Sequence, residues 1–264
     1  MGLGKVHAVE IRLPRRRVRR VAGRIRLLGC SAAALAATVP ALAAAAPGSA
    51  PSAPAAPRIP DWSGSRYGAN SFDARFYDGL AQCLAARWPG RAQAILATLP
   101  DSPPQRAAVT SLLADGGQCV FWGRVKLKVH RLRGALAEAL LRQGHVLPQG
   151  APWLVGNETS GTFGRALLAA YSGRALDQEE RSDLLGRRVA YCTVQKDAAL
   201  VEDLLRKPPS SRQEPSALGR LDPTLSACLP AGLPLNIGLS SMRAYLAEAL
   251  YWRRSLEGSP DAQS

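Results

Sequence analysis

Cysteine is the residue type whose spacing says most about the chemistry of this chain. Of its five cysteines, four follow the N-terminal segment: Cys83, Cys119, Cys192 and Cys228. The first two are 36 positions apart, and so are the last two. An even number of cysteines in an exported chain favours disulfides. The closely spaced cysteine pairs of a typical zinc site are absent from the sequence, so we expect no metal.

The equal cysteine spacing belongs to a longer internal match. Aligned on their cysteines, the two segments also pair Ile95-Leu96 with Leu204-Leu205, Pro100 with Pro209, and Gly123 with Gly232. After one inserted residue, Arg133–Leu140 matches Arg243–Leu250, which keeps Arg133 with Arg243 and Glu138 with Glu248. Such a match predicts a tandem duplication. Two copies of one fold should close the same bridge, which predicts Cys83–Cys119 and Cys192–Cys228.

Helical periodicity dominates each copy. We predict a nearly all-α fold of two modules, each with about four helices and one disulfide within the module. A short segment in each copy instead alternates apolar residues: Val125, Leu127 and Val129 in the first, Leu235, Ile237 and Leu239 in the second. This alternation indicates an extended segment. Pairing of the two segments across a pseudo-twofold axis is one arrangement that would satisfy their hydrogen bonds.

The N-terminus resembles an export signal. Residues 1–30 carry nine basic side chains against one acid, so most of the formal net charge of +14 lies there. An Ala-rich run follows, and Pro40 with Ala41-Leu42-Ala43 predicts a signal peptide over 1–43, cleaved after Ala43. A retained membrane anchor is the alternative. We expect a periplasmic or secreted protein, and the mild charge that remains does not favour a nucleic-acid partner.

The composition of the remaining chain suggests further boundaries. We expect a disordered Ala/Pro/Ser linker over 44–60, since this stretch has little to bury. Module 1 should then span 61–144, a connector with one helix 145–176, module 2 177–256, and a disordered tail 257–264.

Two groups of charged residues could carry function. One is a basic strip, which would bind an anionic envelope polymer or simply protect an exposed strand edge: Arg124, Lys126, Lys128, Arg131 and Arg133. The other is the set that the two copies share: Arg133, Glu138, Arg243 and Glu248. A repeated glutamate could serve as a general acid or base of a hydrolase or lyase. The alternative is an ion pair between Glu138 and Arg142 one helical turn later.

The pattern of cysteine, Ala-Leu helix, second cysteine, alternating segment and Arg-Gly-Ala-Leu-Ala-Glu-Ala-Leu resembles uncharacterised exported proteins of sphingomonad-type alphaproteobacteria. The resemblance covers roughly residues 76–142 and 187–252 and implies no activity. Neither a nucleophile motif nor a phosphate loop nor a dinucleotide fingerprint occurs, so we expect no cofactor. The sequence favours a non-enzymatic binding or interaction module, with another envelope protein as a possible partner.

Overall fold

The computed structural model of the chain describes residues 8–12, 71–119, 124–147, 171, 175–231 and 233–257. All of these residues belong to one compact unit. The predicted cleavage site, the linker, most of the connector and residues 258–264 lie outside the described residues. So does the connector helix, which the sequence predicts from Thr162 to Tyr171, except for Tyr171 itself.

The described residues are mostly helical, which confirms the predicted class. The first half contains β1 (Ala8–Arg12), α1 (Ser71–Arg87), α2 (Pro89–Ala97), α3 (Pro103–Asp115), β2 (Arg124–Lys128) and α4 (Val129–Arg142). The second half contains α5 (Gln178–Arg206), α6 (Glu214–Gly219), α7 (Asp222–Cys228) and α8 (Leu239–Glu257). The division into two equivalent modules stays a prediction.

Local sequence signals account for the ends of several helices. The Ser102 hydroxyl accepts a hydrogen bond from the amide of Gln105 and caps α3, whose first turn contains proline. Asp177 and Glu180 form a capping box at the start of α5. Within α5 the backbone breaks at Asp197, whose carboxylate accepts from the amide of Leu200 at 3.2 Å. Gly144 follows α4 with a φ of 70°, which glycine adopts without steric strain.

The extended segments differ from the prediction. β2 pairs antiparallel with β1, with Ala8 opposite Lys128 and Arg12 opposite Arg124. Residues 233–238 form no strand, so the predicted pairing between the two segments is wrong. The sequence explains the difference, because Pro234 cannot donate to a ladder and Gly238 weakens a strand. The alternating residues Leu235 and Ile237 are nevertheless buried.

Helices α4 and α8 pack against each other at the centre of the molecule, α4 against α1 and α8 against α5. The two central helices approach each other closely at Gly134. A Cβ atom added there would lie 2.3 Å from the Cβ of Ala244 and 2.4 Å from its Cα. Glycine therefore permits a backbone-to-backbone approach that no other residue would allow. This approach brings Arg133 and Arg243, each next to a crossing residue, to the same interface.

Both predicted disulfides are present. Cys83–Cys119 and Cys192–Cys228 each have a Cα–Cα distance of 5.7 Å. The first ties α1 to the turn that follows α3, and the second ties α5 to the end of α7.

We expect each disulfide to contribute about 3 to 4 kcal/mol to the free energy of unfolding, because each closes a loop of the same length. Replacing Cys83 and Cys119 by serine, or Cys192 and Cys228 by serine, should therefore lower stability by similar amounts. Urea unfolding measured by circular dichroism checks this expectation. An unchanged midpoint in either double variant would contradict it.

Candidate functional site

Arg133 and Glu248 form a buried ion pair between α4 and α8. The guanidinium of Arg133 is 0% exposed and donates through Nε to Glu248. Its Nη1 donates to the carbonyl oxygen of Ile95 at 2.6 Å, and its Nη2 to that of Leu96 at 2.9 Å. Arg187, also buried, donates to the other oxygen of Glu248. We call this group the Glu248 centre.

Arg243 and Glu138 form the reciprocal pair. Nε of Arg243 donates to Oε2 of Glu138 at 3.0 Å, and Nη2 donates to Oε1 at 2.6 Å. The same guanidinium donates to the carbonyl oxygens of Leu204 and Leu205, each at 3.2 Å. Arg142 adds a second cation to Glu138. The i,i+4 pair predicted as the alternative to catalysis is thus confirmed, and we call this group the Glu138 centre.

The two centres share one geometry. In each, an arginine of one central helix holds a glutamate of the other and two successive backbone carbonyls. Each glutamate is neutralised by two guanidinium groups. A carboxylate held in this way is poorly suited to exchange protons with a substrate, because its lone pairs are already occupied by charged donors. The geometry instead locks the two halves of the molecule together.

The two centres differ in what covers them. At the Glu248 centre the Trp252 ring lies 5.4 Å from Cζ of Arg133, and Tyr245 lies 5.1 Å from Cζ of Arg187. Both distances fit cation–π contacts. Trp252 also donates from Nε1 to the carbonyl oxygen of Leu96 at 3.3 Å. These aromatic rings are fully buried and seal this side.

The Glu138 centre borders an open cleft of about 290 Å³. Its charged lining consists of Glu138, Arg142, Glu202, Arg206 and Arg254. Its apolar lining consists of Leu141, Leu205 and Leu250. We call it the Arg142 cleft. Glu138 also lines a smaller cleft of about 40 Å³, which has room for little more than ordered water. Small-molecule sites have volumes of about 300 Å³ and above, so the larger cleft is the better candidate.

The predicted basic strip does not form one cationic face. Arg133 points into the core, so the prediction is wrong for this residue. Arg131 lies 3.5 Å from Asp73, and Lys128 lies 3.1 Å from Glu179. The cause is the change from strand to helix at Val129, which moves successive cations to different faces. The side chains of Arg124 and Lys126 lie outside the described residues, so anion binding there stays a prediction.

A buried polar cluster beside the Glu248 centre was not predicted. Nδ1 of His130 lies 3.5 Å from Asp183, and Tyr245 donates to the same carboxylate at 2.5 Å. Tyr171 donates to Asp101 at 2.5 Å. Burial alone would raise the pKa of Asp101, but the charge of Arg187 and the hydrogen bond from Tyr171 outweigh it and lower this pKa below its usual value. Nothing in the internal match marks these residues, because the cluster joins positions that are far apart in the sequence.

His130 should make the protein sensitive to acid. Burial, reinforced by the charges of Arg187 and Arg131, lowers the pKa of His130 to about 3. In the unfolded chain its pKa is about 6.5. Since the unfolded state takes up the proton first, this contribution to stability is complete above pH 6.5 and is lost as the pH falls toward 3.

At pH 4.5 the expected loss is roughly 2 to 3 kcal/mol, because each pKa unit corresponds to about 1.4 kcal/mol. His130→Asn should remove this part of the pH dependence, and His145→Asn, at an exposed position, should keep it. Urea unfolding between pH 7 and pH 4.5 gives the measurement. If the free energy of unfolding fell equally with pH in wild type and in His130→Asn, the expectation would be refuted.

Neither a metal-binding cluster nor a membrane-spanning helix occurs among the described residues. In this part of the chain no three or more His, Cys, Asp and Glu side chains are grouped so that they could hold a metal ion. None of the helices described is both long and apolar enough to cross a membrane.

The candidate site is therefore the Arg142 cleft with the Glu138 centre at its wall. The sequence indicates Glu138 and its arginines but not the cleft, which arises from packing between α4, α5 and α8. Comparison of the chain with protein-family models, with curated proteins and with solved structures found no match.

Proposed function

We propose that this chain is an exported, non-enzymatic binding protein that takes a small ligand in the Arg142 cleft. One observation carries the proposal: of two ion-pair centres with the same geometry, one is sealed by aromatic side chains and the other borders a cleft. The cleft combines an apolar floor with charged groups, as ligand sites commonly do.

Two equivalent helical modules form the framework in this proposal. Support comes from the equal disulfide loops and from the reciprocal bonds of Arg133 and Arg243. Asp101 and Ser210, which the internal match aligns, both have φ near 60°. Both also donate their amide to the side chain four residues later, Gln105 or Glu214, at 2.5 Å. Independent folds would rarely share such a detail.

Export is supported by the two disulfides, which persist in oxidising compartments. The proposal implies that the mature chain begins at Ala44 and therefore lacks β1, whose residues fall within the predicted signal peptide. N-terminal sequencing of the protein recovered from the periplasm tests this part. An N-terminus before residue 8 would contradict it and favour the retained anchor.

The alternative of a hydrolase or lyase rests on Glu138, which lines both clefts. Its two arginine partners weigh against it. The alternative of an anion binder rests on the strip from Arg124 to Arg133, in which Arg133 is buried.

Binding in the cleft can be tested without knowing the ligand. Methyl NMR spectra of the exported protein should change on addition of a small-molecule extract of the periplasm, with saturable shifts at Leu141, Leu205 and Leu250. Arg142→Trp should abolish these shifts by filling the cleft. Shifts confined to other methyl groups, or none with any fraction of the extract, would contradict the proposal. A turnover that Glu138→Gln abolishes would instead favour the enzyme.

A further inference from the structure

The sealed centre shows which group fits beside such an ion pair. At the Glu248 centre an indole ring lies against Arg133. The ring N–H donates to the carbonyl oxygen of Leu96, which also accepts from Nη2 of Arg133. One carbonyl oxygen thus accepts hydrogen bonds from an arginine and from an indole. The indole belongs to Trp252, which is almost completely buried.

The Glu138 centre has the same carbonyl without the indole. There the carbonyl oxygen of Leu205 accepts from Nη2 of Arg243 at 3.2 Å, and Leu205 lines the Arg142 cleft. In the internal match, Arg142 stands at the position of Trp252, and Leu141 stands at that of Tyr251. The Arg142 side chain turns away to Glu138 and to Asp78, which it reaches at 2.8 Å. The space that an indole fills in one half is left as a cleft in the other.

The rim of the cleft carries cations that the sealed half lacks. Arg206 and Arg254 line the cleft, and the internal match places Ala97 and Gly144 at their positions. The Arg254 side chain is 49% exposed and is paired with Glu202 at the rim and with Glu257 at 3.3 Å. A partly exposed arginine can bind a carboxylate by donating two parallel hydrogen bonds to its oxygens. Glu202 stands at the position of Gln93 and adds one negative charge, so the two added arginines leave a net gain of one positive charge at the rim, beside the added space.

We propose that the Arg142 cleft binds a small aromatic carboxylate whose ring carries an N–H group. The ring takes the place that Trp252 has in the other half, and its N–H donates to the carbonyl oxygen of Leu205. The carboxylate binds Arg254, with Arg206 beside it, and displaces Glu202. The inference rests on the proposed binding function and adds the chemistry of the ligand.

Indole-3-acetate is the probe that tests this chemistry. Titrated into the exported protein, it should give saturable shifts of the Leu205 and Leu250 methyl groups, with a matching heat of binding in calorimetry. 1-Methylindole-3-acetate, which lacks the N–H, should bind about tenfold more weakly, because the carbonyl of Leu205 loses its second donor. Three matching outcomes support the geometry: saturation, the site of the shifts, and the effect of the methyl group.

Variants separate the ring pocket from the charged rim. Arg254→Gln should weaken indole-3-acetate binding by about tenfold or more, because it removes the charged partner of the carboxylate. Glu202→Gln should strengthen binding, since it removes the competing carboxylate. Arg188→Gln changes an exposed arginine of α5 outside the cleft and is the matched control, which should leave binding unchanged. Arg142→Trp should fill the cleft and abolish binding.

N-Acetyltryptophanamide distinguishes a free acid from a tryptophan side chain of a partner protein. It carries the indole without a carboxylate and should bind at least about tenfold more weakly than indole-3-acetate. Equal binding of the two probes would overturn the proposal in favour of a protein partner.

Absence of saturable shifts, or undiminished binding to Arg254→Gln, would also overturn it. If Arg142→Trp does not fold, Arg254→Gln and the N-methylated probe still decide the matter. Should the periplasmic extract shift the cleft methyl groups when indole-3-acetate does not, only the ligand chemistry fails and the proposed function stands.

Discussion

Replacing Glu248 by glutamine should lower the free energy of unfolding by about 3 to 5 kcal/mol, the range for removing one partner of a buried ion pair. Glu248 is 1% exposed and is the carboxylate that both Arg133 and Arg187 contact. Glutamine keeps the size of the side chain but places an N–H₂ group against one guanidinium. Two buried cations would then share one neutral acceptor. Urea unfolding followed by circular dichroism measures the difference.

Glu138→Gln is the matched control for this prediction. Glu138 also has two arginine partners, but the Arg142 side chain is 34% exposed and can turn to water. Arg243 keeps its contacts with Glu214 and three backbone carbonyls. We therefore expect at most about half of the loss caused by Glu248→Gln, because less uncompensated charge stays buried. Equal losses in the two variants would refute this account of the asymmetry.

A double-mutant cycle isolates the role of Arg187. Its Nε and Nη2 have no hydrogen-bond partner among the described residues. The carboxylate of Glu248 is therefore the main group that offsets the buried positive charge of Arg187. Arg187→Met should destabilise the wild type, yet recover part of the stability that Glu248→Gln loses, because it removes a charge left without a partner. Additive losses would show that the two side chains act independently.

The helices and disulfides could be predicted from the sequence because their signals are local or repeated. Ser102 and Asp177 mark helix starts through their own neighbours in the chain. The equal spacing of Cys83–Cys119 and Cys192–Cys228 selected one of three possible pairings. Each of these features depends on a short stretch or on a comparison of one segment with another.

Arg133 was misplaced because two periodicities meet next to it. Val125, Leu127 and Val129 alternate as in a strand, but the helix already begins at Val129. If the strand pattern is extended one residue too far, to Val129, the residues that follow are assigned to the wrong faces. Arg133, which faces the core, is then counted among the surface cations. Its identity with Arg243 in the match was the better signal. A charged residue that both matched segments carry on an apolar helix face indicates a buried partner as readily as a binding site.

The cleft and the His130 cluster could not be predicted from single segments. They depend on which helices pack together: in the cluster Tyr245 meets Asp183 across 62 positions, and at the cleft Arg254 meets Glu202 across 52. The internal match nevertheless indicated the cleft, because it places Arg142, a charged residue, at the position of Trp252, an aromatic one. Within the internal match, positions that differ indicate what is particular to one segment, whereas identical positions indicate what the fold requires.

Gly134→Ala should destabilise the protein by about 3 kcal/mol or more, at or above the upper end for overpacked cores. The added Cβ would lie 2.3 Å from the Cβ of Ala244 and 2.5 Å from its carbonyl oxygen. Backbone atoms cannot turn away as a side chain can, so α4 and α8 must separate. Their separation would lengthen the bonds from Arg133 to Glu248 and from Arg243 to Glu138, which cross the same interface.

Gly79→Ala provides the matched control, since Gly79 also lies within a helix but has nothing within 4 Å of an added Cβ. That change should leave stability equal or raise it by up to about 1 kcal/mol, through the better helix propensity of alanine. Adding Ala244→Gly to Gly134→Ala should restore only part of the loss, because the contacts with the Cα and carbonyl oxygen of residue 244 persist. Full restoration would mean that only the two Cβ methyl groups clash. The backbones of α4 and α8 would then lie farther apart than the structure shows.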